Sequence, residues 1–415
     1  MPALLHRSPP QLSLHLRPPL MRCALVCALI LPSAAAWSAP DLHEVLEQVW
    51  QRAVAGQLAE AHRSEALANS LAASSMLPEA PSIALAQRSD HFNQGRGFRE
   101  RELELSLPLW LPGQREARIK LAEGESADSL ASAAVARLQL AGELRTRLWD
   151  CAATRSEREL AEQALSTAEQ LEQDVARREA AGELARSELL QAREETLSAR
   201  RALGDARLRE RQALERYRLL SGLSELPAQF DEAIATDTAG LHPLLQQAAS
   251  AVGRARAQLQ LNRESERDTP ELSIGWQQSR DSFAEPNRNS LRLGLRIPLA
   301  SSTRNAAQIA TANTALLRAE AEQRQIRAEL ESAQREAQLQ LDSAEHNEAL
   351  AQARSKLVDE RLSLQARAFA LGELSLAELL RTRRAANEAR LDARRAALAL
   401  AAARANLNQA MGVLP

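Results

Sequence analysis

RELELSLPLWLPGQREA, residues 101–117, is the stretch in which the chain changes its periodicity. Its first half alternates apolar and polar residues, so the leucines up to Leu109 fall on one face of a β-strand. Its second half contains Pro108, Pro112 and Gly113, and no further proline occurs before Ala181. The stretch therefore predicts a strand that ends in a proline-rich turn and continues as a very long helix.

The same transition occurs a second time further along the chain. Residues 291–299 alternate leucine or isoleucine with other residues, pass through Pro298 and lead into another long helical tract. A constant separation of 190 residues links Pro108 to Pro298, Ile119 to Ile309, Gly182 to Gly372 and Gly222 to Gly412. Since a constant separation leaves no net insertion, it predicts two tandem repeats of one unit.

Composition favours long helices over an ordinary compact globule. Only 3% of the 415 residues are aromatic, and Ala, Leu, Arg and Glu dominate. The formal net charge is −2, and positive and negative residues are interspersed, so we expect no nucleic-acid partner.

The N-terminal region predicts export from the cytoplasm. Residues 21–36 have the basic start, short apolar run and small-residue cleavage site of a secretory signal peptide, and residues 1–20 are read as an upstream extension. After removal of this signal, Cys151 is the only thiol that remains. The sequence therefore excludes a disulfide framework and a cysteine-based metal site.

The two predicted repeats divide the rest of the chain. The first repeat is assigned to residues 41–222, with strands at about 82–90 and 100–109 and a helical-hairpin tip at Gly182. A linker follows at 223–241. The second repeat is assigned to residues 242–415, with strands at about 271–280 and 290–299 and a tip at Gly372. Within the first repeat, the apolar stripe that begins at Leu42 predicts a single helix from Asp41 to about Met76.

The helix that returns from each tip carries a heptad seam of mostly small residues. The first seam consists of Leu189, Ala192, Thr196, Ala199, Leu203, Ala206, Glu210, Ala213, Tyr217 and Leu220, and the second lies 190 residues later, from Leu379 to Ala410. Alternating spacings of three and four residues are typical of packed helices, and alanine lets them approach closely.

Four predicted strands of about ten residues are the right length to cross an outer membrane in a barrel. The face predicted to meet lipid consists of Ile83, Leu85, Leu103, Leu105, Leu107, Leu109, Leu272, Ile274, Trp276, Leu291, Leu293, Leu295 and Ile297. The opposite face carries Glu102, Glu104, Arg292 and Arg296, which we expect to line a water-filled lumen. Because open sheet edges are not tolerated in lipid, the chain must oligomerise, and three copies would supply twelve strands.

The exits of the strands and the helical tips resemble the TolC-type outer-membrane efflux protein family. The similar segments are LELSLPLWLPGQREARI and LRLGLRIPLASSTRNAAQI at the strand exits and AGELARSELLQAR and LGELSLAELLRTR at the tips. The short PLWLPGQREAR form is most similar to the heavy-metal, cobalt-zinc-cadmium branch. The resemblance implies a mainly α fold with a transmembrane β-barrel: a homotrimer with a twelve-stranded barrel in the outer membrane and a helical tunnel in the periplasm.

The resemblance also implies a function and partners. It implies an outer-membrane channel subunit of a tripartite efflux system, a passive gated conduit for substrates such as heavy-metal cations. The partners would be a periplasmic adaptor protein and an inner-membrane pump of the resistance-nodulation-division type. The implied adaptor contacts at the tips are Gly182, Leu184, Ser187, Gly372, Leu374 and Ser375, and the implied barrel-to-tunnel junction is Pro108, Trp110, Pro112 and Pro298. Ser375 and Glu378 also fit the S-x-x-E pattern of a helix N-cap.

No catalytic or metal-binding constellation is evident in the sequence. His62 lies near Glu65, and His346 lies between two glutamates, but neither pattern supplies three metal ligands. We therefore expect no enzyme activity, no cofactor and no metal site. Two alternatives stay open: a type I secretion or multidrug efflux channel, and, from a different class, a soluble periplasmic coiled-coil scaffold protein.

Overall fold

The computed structural model describes residues 41–92, 95–236, 240–299 and 302–415. The predicted upstream extension at 1–20 and signal peptide at 21–36 lie outside the described residues. Within the described part of the chain, no helix is both long enough and apolar enough to cross a membrane.

The helices and strands occur in the same order twice. The first set is α1 (Leu42–Arg52), α2 (Val54–Ala73), β1 (Ser82–Ser89), β2 (Arg99–Pro108), α3 (Gln114–Ala180) and α4 (Arg186–Ser221). The second set is α5 (Pro243–Glu264), β3 (Glu271–Arg280), β4 (Arg288–Arg296), α6 (Ser302–Ala370) and α7 (Leu376–Ala410). α3 and α6 contain 67 and 69 residues, so each extends about 100 Å at 1.5 Å per residue.

The single helix predicted from Asp41 to Met76 is wrong, because the chain breaks at Ala53. Ala53 is extended, with ψ 141°, and separates α1 from α2. The chain then folds back tightly: a Cβ atom on Gly56 would lie only 2.1 Å from the carbonyl oxygen of Trp50. Glycine therefore permits the close turn. At the 190-residue separation, α5 corresponds to α2, and α1 has no helical counterpart among the described residues of the second repeat.

The four strands form one antiparallel sheet in the order β1-β2-β3-β4. The central pairing joins the two repeats, with Leu105 opposite Ile274 and Leu107 opposite Leu272. β1 and β4 are the two outer strands, and each pairs on one side only. The outer edge of each therefore presents backbone N–H and C=O groups without partners in the sheet.

The long helices pack as two antiparallel hairpins, α3 with α4 and α6 with α7, and α3 also contacts α7. Every residue of both predicted seams is buried or half-buried, from Leu189 to Leu220 in α4 and from Leu379 to Ala410 in α7. The exceptional Glu210 forms an ion pair with Arg158 of α3, with 2.8 Å between Oε2 and Nε. This contact explains how a carboxylate is accommodated in an otherwise uncharged seam, and it raises the pKa of the Arg158 guanidinium.

A buried polar network, which the sequence gives no reason to expect, ties the linker and the C-terminal segment to α3. Arg145 is only 2% exposed, and its guanidinium donates to both carboxylate oxygens of Glu232, at 2.7 and 2.6 Å. It also donates to Gln409 and to the carbonyl oxygen of Val413. Asn408 completes the network by donating to Glu232 at 3.1 Å. A bidentate guanidinium–carboxylate pair fixes both direction and distance.

We predict that Arg145→Met destabilises the protein by about 3–5 kcal/mol, because it leaves the buried Glu232 carboxylate without a cation. Arg145→Met/Glu232→Leu should be less destabilised than the single variant, since no buried charge then remains unpaired. Thermal unfolding of the purified variants, followed by circular dichroism, measures both effects. Equal midpoints for wild type and Arg145→Met would show that the network contributes nothing.

Candidate functional site

The predicted lipid-facing residues lie together on one face of the sheet, in rows that cross the strands. One row is Leu85, Leu103, Trp276 and Leu291; the next is Ile83, Leu105, Ile274 and Leu293; the third is Leu107, Leu272 and Leu295. Leu109 and Ile297 continue this face just beyond the ends of β2 and β4. Most of these side chains are more than one-third exposed in the single chain, and Leu85 reaches 81%. The chain itself leaves this apolar face uncovered.

The opposite face of the sheet is polar, and its charges are paired across strands. Arg292 of β4 donates to Glu102 of β2 at 2.9 Å, passing over the intervening β3 at Gly275. Arg296 lies 3.9 Å from Glu271, and Arg88 lies 3.7 Å from Glu100. Gly275 carries no side chain at this crossing, and a Cβ there would lie 3.6 Å from the Cβ of Arg292, in ordinary van der Waals contact. The predicted lumen residues Glu104 and Arg296 share this face, as the period of two requires.

The junction between β2 and α3 contacts the segment that follows α2 and the C-terminal end of α5. Pro108 is the last residue of β2, and after Pro112 the chain reaches Gly113, whose φ of 82° lies in the left-handed region. This left-handed backbone angle favours glycine, whereas the nearby Glu264 carboxylate, 2.8 Å from where a Cβ would lie, is the end of a flexible side chain that can move. Trp110 is half-buried and donates its indole N–H to the carbonyl oxygen of Ser75 at 3.2 Å.

The second junction is described only in part. Pro298 follows β4 and is half-buried, but residues 300–301 lie outside the described part of the chain. Pro298 therefore occupies the position that Pro108 has in the first repeat, at the end of the strand pair.

The two helical tips have the same backbone structure. Gly182 and Gly372 both have φ of 78°. At each tip, the N–H of the glycine bonds to the carbonyl three residues earlier, and the next N–H bonds to the carbonyl five residues earlier. This is the Schellman motif, in which a left-handed glycine ends a helix. Leu184 and Leu374 follow the glycines and pack against the apolar cluster at the tips, whereas both glycines are exposed.

The two serines predicted at the tips differ in their roles. Ser375 caps α7, because its Oγ accepts the N–H of Glu378 at 3.3 Å, as the S-x-x-E pattern predicts. At the corresponding start of α4, Ala185 cannot accept a hydrogen bond through its side chain, but its N–H donates to Glu188 at 3.2 Å. Ser187 lies two residues into α4 and is exposed. The predicted tip residues thus form one exposed end of the two hairpins.

Arg178 joins the two tips, and the sequence analysis missed it. Its guanidinium donates to the carbonyl oxygens of Phe369 and Ala370 at 3.3 and 2.9 Å, and its Cζ lies 5.4 Å from the centre of the Phe369 ring. The carbonyls at a helix C-terminus carry partial negative charge, which favours a cation there. In the second repeat, Ala368 takes the place of Arg178. Comparison of the repeats therefore offers no signal for this contact.

No group of three or more His, Cys, Asp or Glu side chains within the described residues is arranged to hold a metal ion. His62 lies 3.3 Å from Glu65 on the exposed surface of α2. The thiol of Cys151 is 1% exposed, and burial is the main cause that raises its pKa to about 11. The thiol is therefore protonated at neutral pH and is a poor nucleophile and metal ligand.

A chain with one apolar and one polar face on an open antiparallel sheet, continued by paired helices of about 100 Å, has the architecture of an outer-membrane channel. Residues 48–223 match the family model "Outer membrane efflux protein". This segment spans the first strand pair and the first helical hairpin, and the second half of the chain repeats the same order. The chain thus matches the outer membrane efflux protein family over residues 48–223, and it is an outer-membrane efflux channel with a periplasmic helical part.

Solved structures share this fold across nearly the whole chain. CusC, described in a study of transmembrane channel formation, is 17% identical, with a TM-score of 0.73 over 90% of this chain and 92% of CusC. VceC of Vibrio cholerae is 14% identical, with a TM-score of 0.72 over 90% of this chain and 96% of VceC. The MtrE channel of Neisseria gonorrhoeae is 16% identical, with a TM-score of 0.70 over 91% and 90%. No curated protein has significant sequence similarity to the chain.

Proposed function

We propose that three copies of this chain form the outer-membrane channel of a tripartite efflux system. The observation that carries the proposal is the open sheet, with an exposed apolar face, a charged opposite face and two unpaired edges. In lipid, each free edge group costs several kcal/mol, so β4 of one copy must pair with β1 of the next. Three copies of four strands give a twelve-stranded barrel, within the range of known membrane barrels.

Exposed rows of leucines on α4 and α6 support assembly between copies. Seven-residue spacing gives α6 the row Leu350, Leu357, Leu364 and Leu371, which continues to Leu339 eleven residues earlier. α4 carries a matching row at Leu190, Leu197, Leu208 and Leu219, and every leucine in both rows is more than half exposed. Spacings of seven and eleven residues keep side chains on one face of a helix.

These two rows have no partner within the single chain. α4 packs mainly on α3, and α6 packs on α7 and α5, while α4 and α6 do not contact one another among the described residues. Continuous apolar rows on a helix surface are typical of protein interfaces. We therefore assign the α6 row of one copy to the α4 row of its neighbour, which would continue the barrel as a closed wall of helices.

In this assembly, the residues of each sheet face take different roles. The rows from Ile83 to Ile297 meet lipid, and the paired charges that include Glu102 and Arg292 line the lumen. Pro108, Trp110, Pro112 and Pro298 form the junction between barrel and tunnel. The tips that carry Gly182, Leu184, Ser187, Gly372, Leu374 and Ser375 face the periplasmic adaptor, and the adaptor connects the channel to an inner-membrane pump of the resistance-nodulation-division type.

The cargo we propose is a heavy-metal cation, and its support is the similarity of the PLWLPGQREAR segment to the cobalt-zinc-cadmium branch. Since no metal-holding cluster occurs within the described residues, selection of the cargo would belong to the pump and adaptor. The chain would then act as a passive conduit.

Deletion of the encoding gene should make cells more sensitive to cobalt, zinc or cadmium salts, and the cloned gene should restore tolerance. Growth inhibition is measured in parallel for these salts and for a panel of hydrophobic drugs. Increased sensitivity to drugs alone would replace the metal assignment by a multidrug channel. Unchanged sensitivity to both, with reduced export of a protein substrate, would indicate type I secretion.

The assembly itself is tested by Leu357→Glu/Leu364→Glu, which places two carboxylates in the α6 row. Each buried leucine stabilises an interface by about 2 kcal/mol, so the double variant should shift the purified protein from trimers toward monomers. Gln352→Glu is the matched control, because it adds a carboxylate to an exposed position of α6 outside the row. Mass photometry in detergent reports the distribution. Trimers at wild-type abundance in the double variant would contradict the assigned interface.

A further inference from the structure

The apolar face of the sheet carries charge at one end only. Within the described strands, the charged residues on this face are Arg99, Arg101 and Arg280, and all three are positive. They lie one and two rows beyond the row that contains Leu103, toward the hairpin loops. In the proposed barrel, this position is the outward-facing surface directly beyond the lipid-facing leucines, at the level of lipid headgroups.

These arginines face one another without a carboxylate between them. Arg99 of β2 lies directly opposite Arg280 of β3, and Arg101 lies opposite Gln278. Like charges placed opposite each other across two strands destabilise a sheet unless something neutralises them. Directly opposed Cα atoms are about 5 Å apart, and residues two apart on one strand are separated by about 7 Å. Three guanidinium groups can therefore converge on one ligand.

The other face of the same sheet shows that the chain can pair its arginines with acids. There, Arg88, Arg292 and Arg296 each lie within 4 Å of a glutamate carboxylate. On the apolar face, Arg99 and Arg101 are exposed and form no ion pair or side-chain hydrogen bond with the described residues. Acidic partners for the arginines are thus missing only on the side of the sheet that faces lipid.

Arg280 is held in place by the hairpin loops. Its Nε donates to the carbonyl oxygen of Gly97 at 3.2 Å, and its guanidinium lies 5.3 Å from the centre of the Phe283 ring. These contacts fix the planar group beside Arg99 while its Nη groups make no hydrogen bond to the described residues. Arginine binds phosphate oxygens through parallel N–H donors, and a fixed guanidinium loses little freedom on binding.

We propose that Arg99, Arg101 and Arg280 form a binding site for the phosphate groups of an anionic lipid in the loop-side leaflet of the outer membrane. The leucine rows would contact the acyl chains of the same lipid, and the arginines would neutralise its phosphates. This inference rests on the proposed barrel, because only there does the apolar face meet lipid. The ligand class is a phosphorylated lipid rather than a soluble anion, since the arginines directly adjoin an apolar surface.

The test measures binding of diphosphorylated lipid A to the purified assembly in detergent, by native mass spectrometry at low and high salt. We expect Arg99→Gln/Arg101→Gln to weaken binding roughly twenty-five-fold, since each basic residue near a membrane surface contributes about fivefold. Arg99→Lys/Arg101→Lys should bind more tightly than the glutamine variant, because it keeps the charge. Wild-type binding should also fall as salt is raised.

Arg88→Gln is the matched control, because Arg88 lies one strand away at similar height but on the polar face. It should bind lipid A like the wild type. Equal binding by wild type and Arg99→Gln/Arg101→Gln, or equal binding of dephosphorylated lipid A, would overturn the proposal. Displacement of lipid A by inorganic phosphate at equal concentration would also overturn it, since the site would then select a free anion.

The same samples are examined for oligomeric state and channel conductance in planar bilayers. A wild-type protein that neither assembles nor conducts would contradict the proposed function. Normal assembly and conductance without lipid A binding would contradict the lipid site alone.

Discussion

The free backbone groups along the outer edges of β1 and β4 are the constraint on which the rest of the structure depends. Each strand pairs on one side only, so a single chain cannot complete its sheet. In water, such edges invite uncontrolled pairing, and in lipid they are too costly to leave open. The apolar face of the sheet would also be exposed to water in an isolated chain, because the chain itself leaves that face uncovered. The proposed closure of the sheet by further copies would resolve both problems together.

The proposed closure is also compatible with the way in which the two repeats are joined. β2 and β3 pair centrally, so the exits toward α3 and α6 leave the sheet from one end. Each exit then continues as a helix of nearly equal length, and both hairpins end in the same Schellman turn. In the proposed assembly, a wall of helices could therefore follow the barrel without a change in the number of copies.

The repeats are alike in backbone but differ in the side chains that fix them. Arg145 is buried in a network with Glu232, whereas the residue 190 positions later, Arg335, is exposed. Arg178 connects the tips, but its counterpart Ala368 cannot. Arg145 attaches the first hairpin to the linker and the C-terminal segment, and Arg178 attaches it to the second hairpin. A duplicated unit thus becomes an asymmetric subunit through a few charged contacts.

The sequence predicted the features that depend on periodicity. Alternation identified both faces of the sheet, and the spacing of small residues identified the helix seams, because each pattern is local and repeated. Contacts between distant segments were not predictable. The turn at Ala53 depends on Gly56 approaching the Trp50 carbonyl, and Trp110, which the family resemblance assigns to the barrel-to-tunnel junction, donates to Ser75 of the segment after α2. Such contacts produce no periodic pattern of residues in the sequence.

Single cysteines placed along residues 102–107, in a Cys151→Ser background, test directly whether one face of the sheet meets lipid and the other meets water. Each variant, in native membranes, is treated with a water-soluble thiol reagent, and a parallel sample is labelled with a fluorophore and exposed to a lipid-phase quencher. We expect strict alternation: cysteines at 103, 105 and 107 are quenched from lipid, and those at 102, 104 and 106 react from water. Uniform reactivity with the water-soluble reagent along the strand would contradict it.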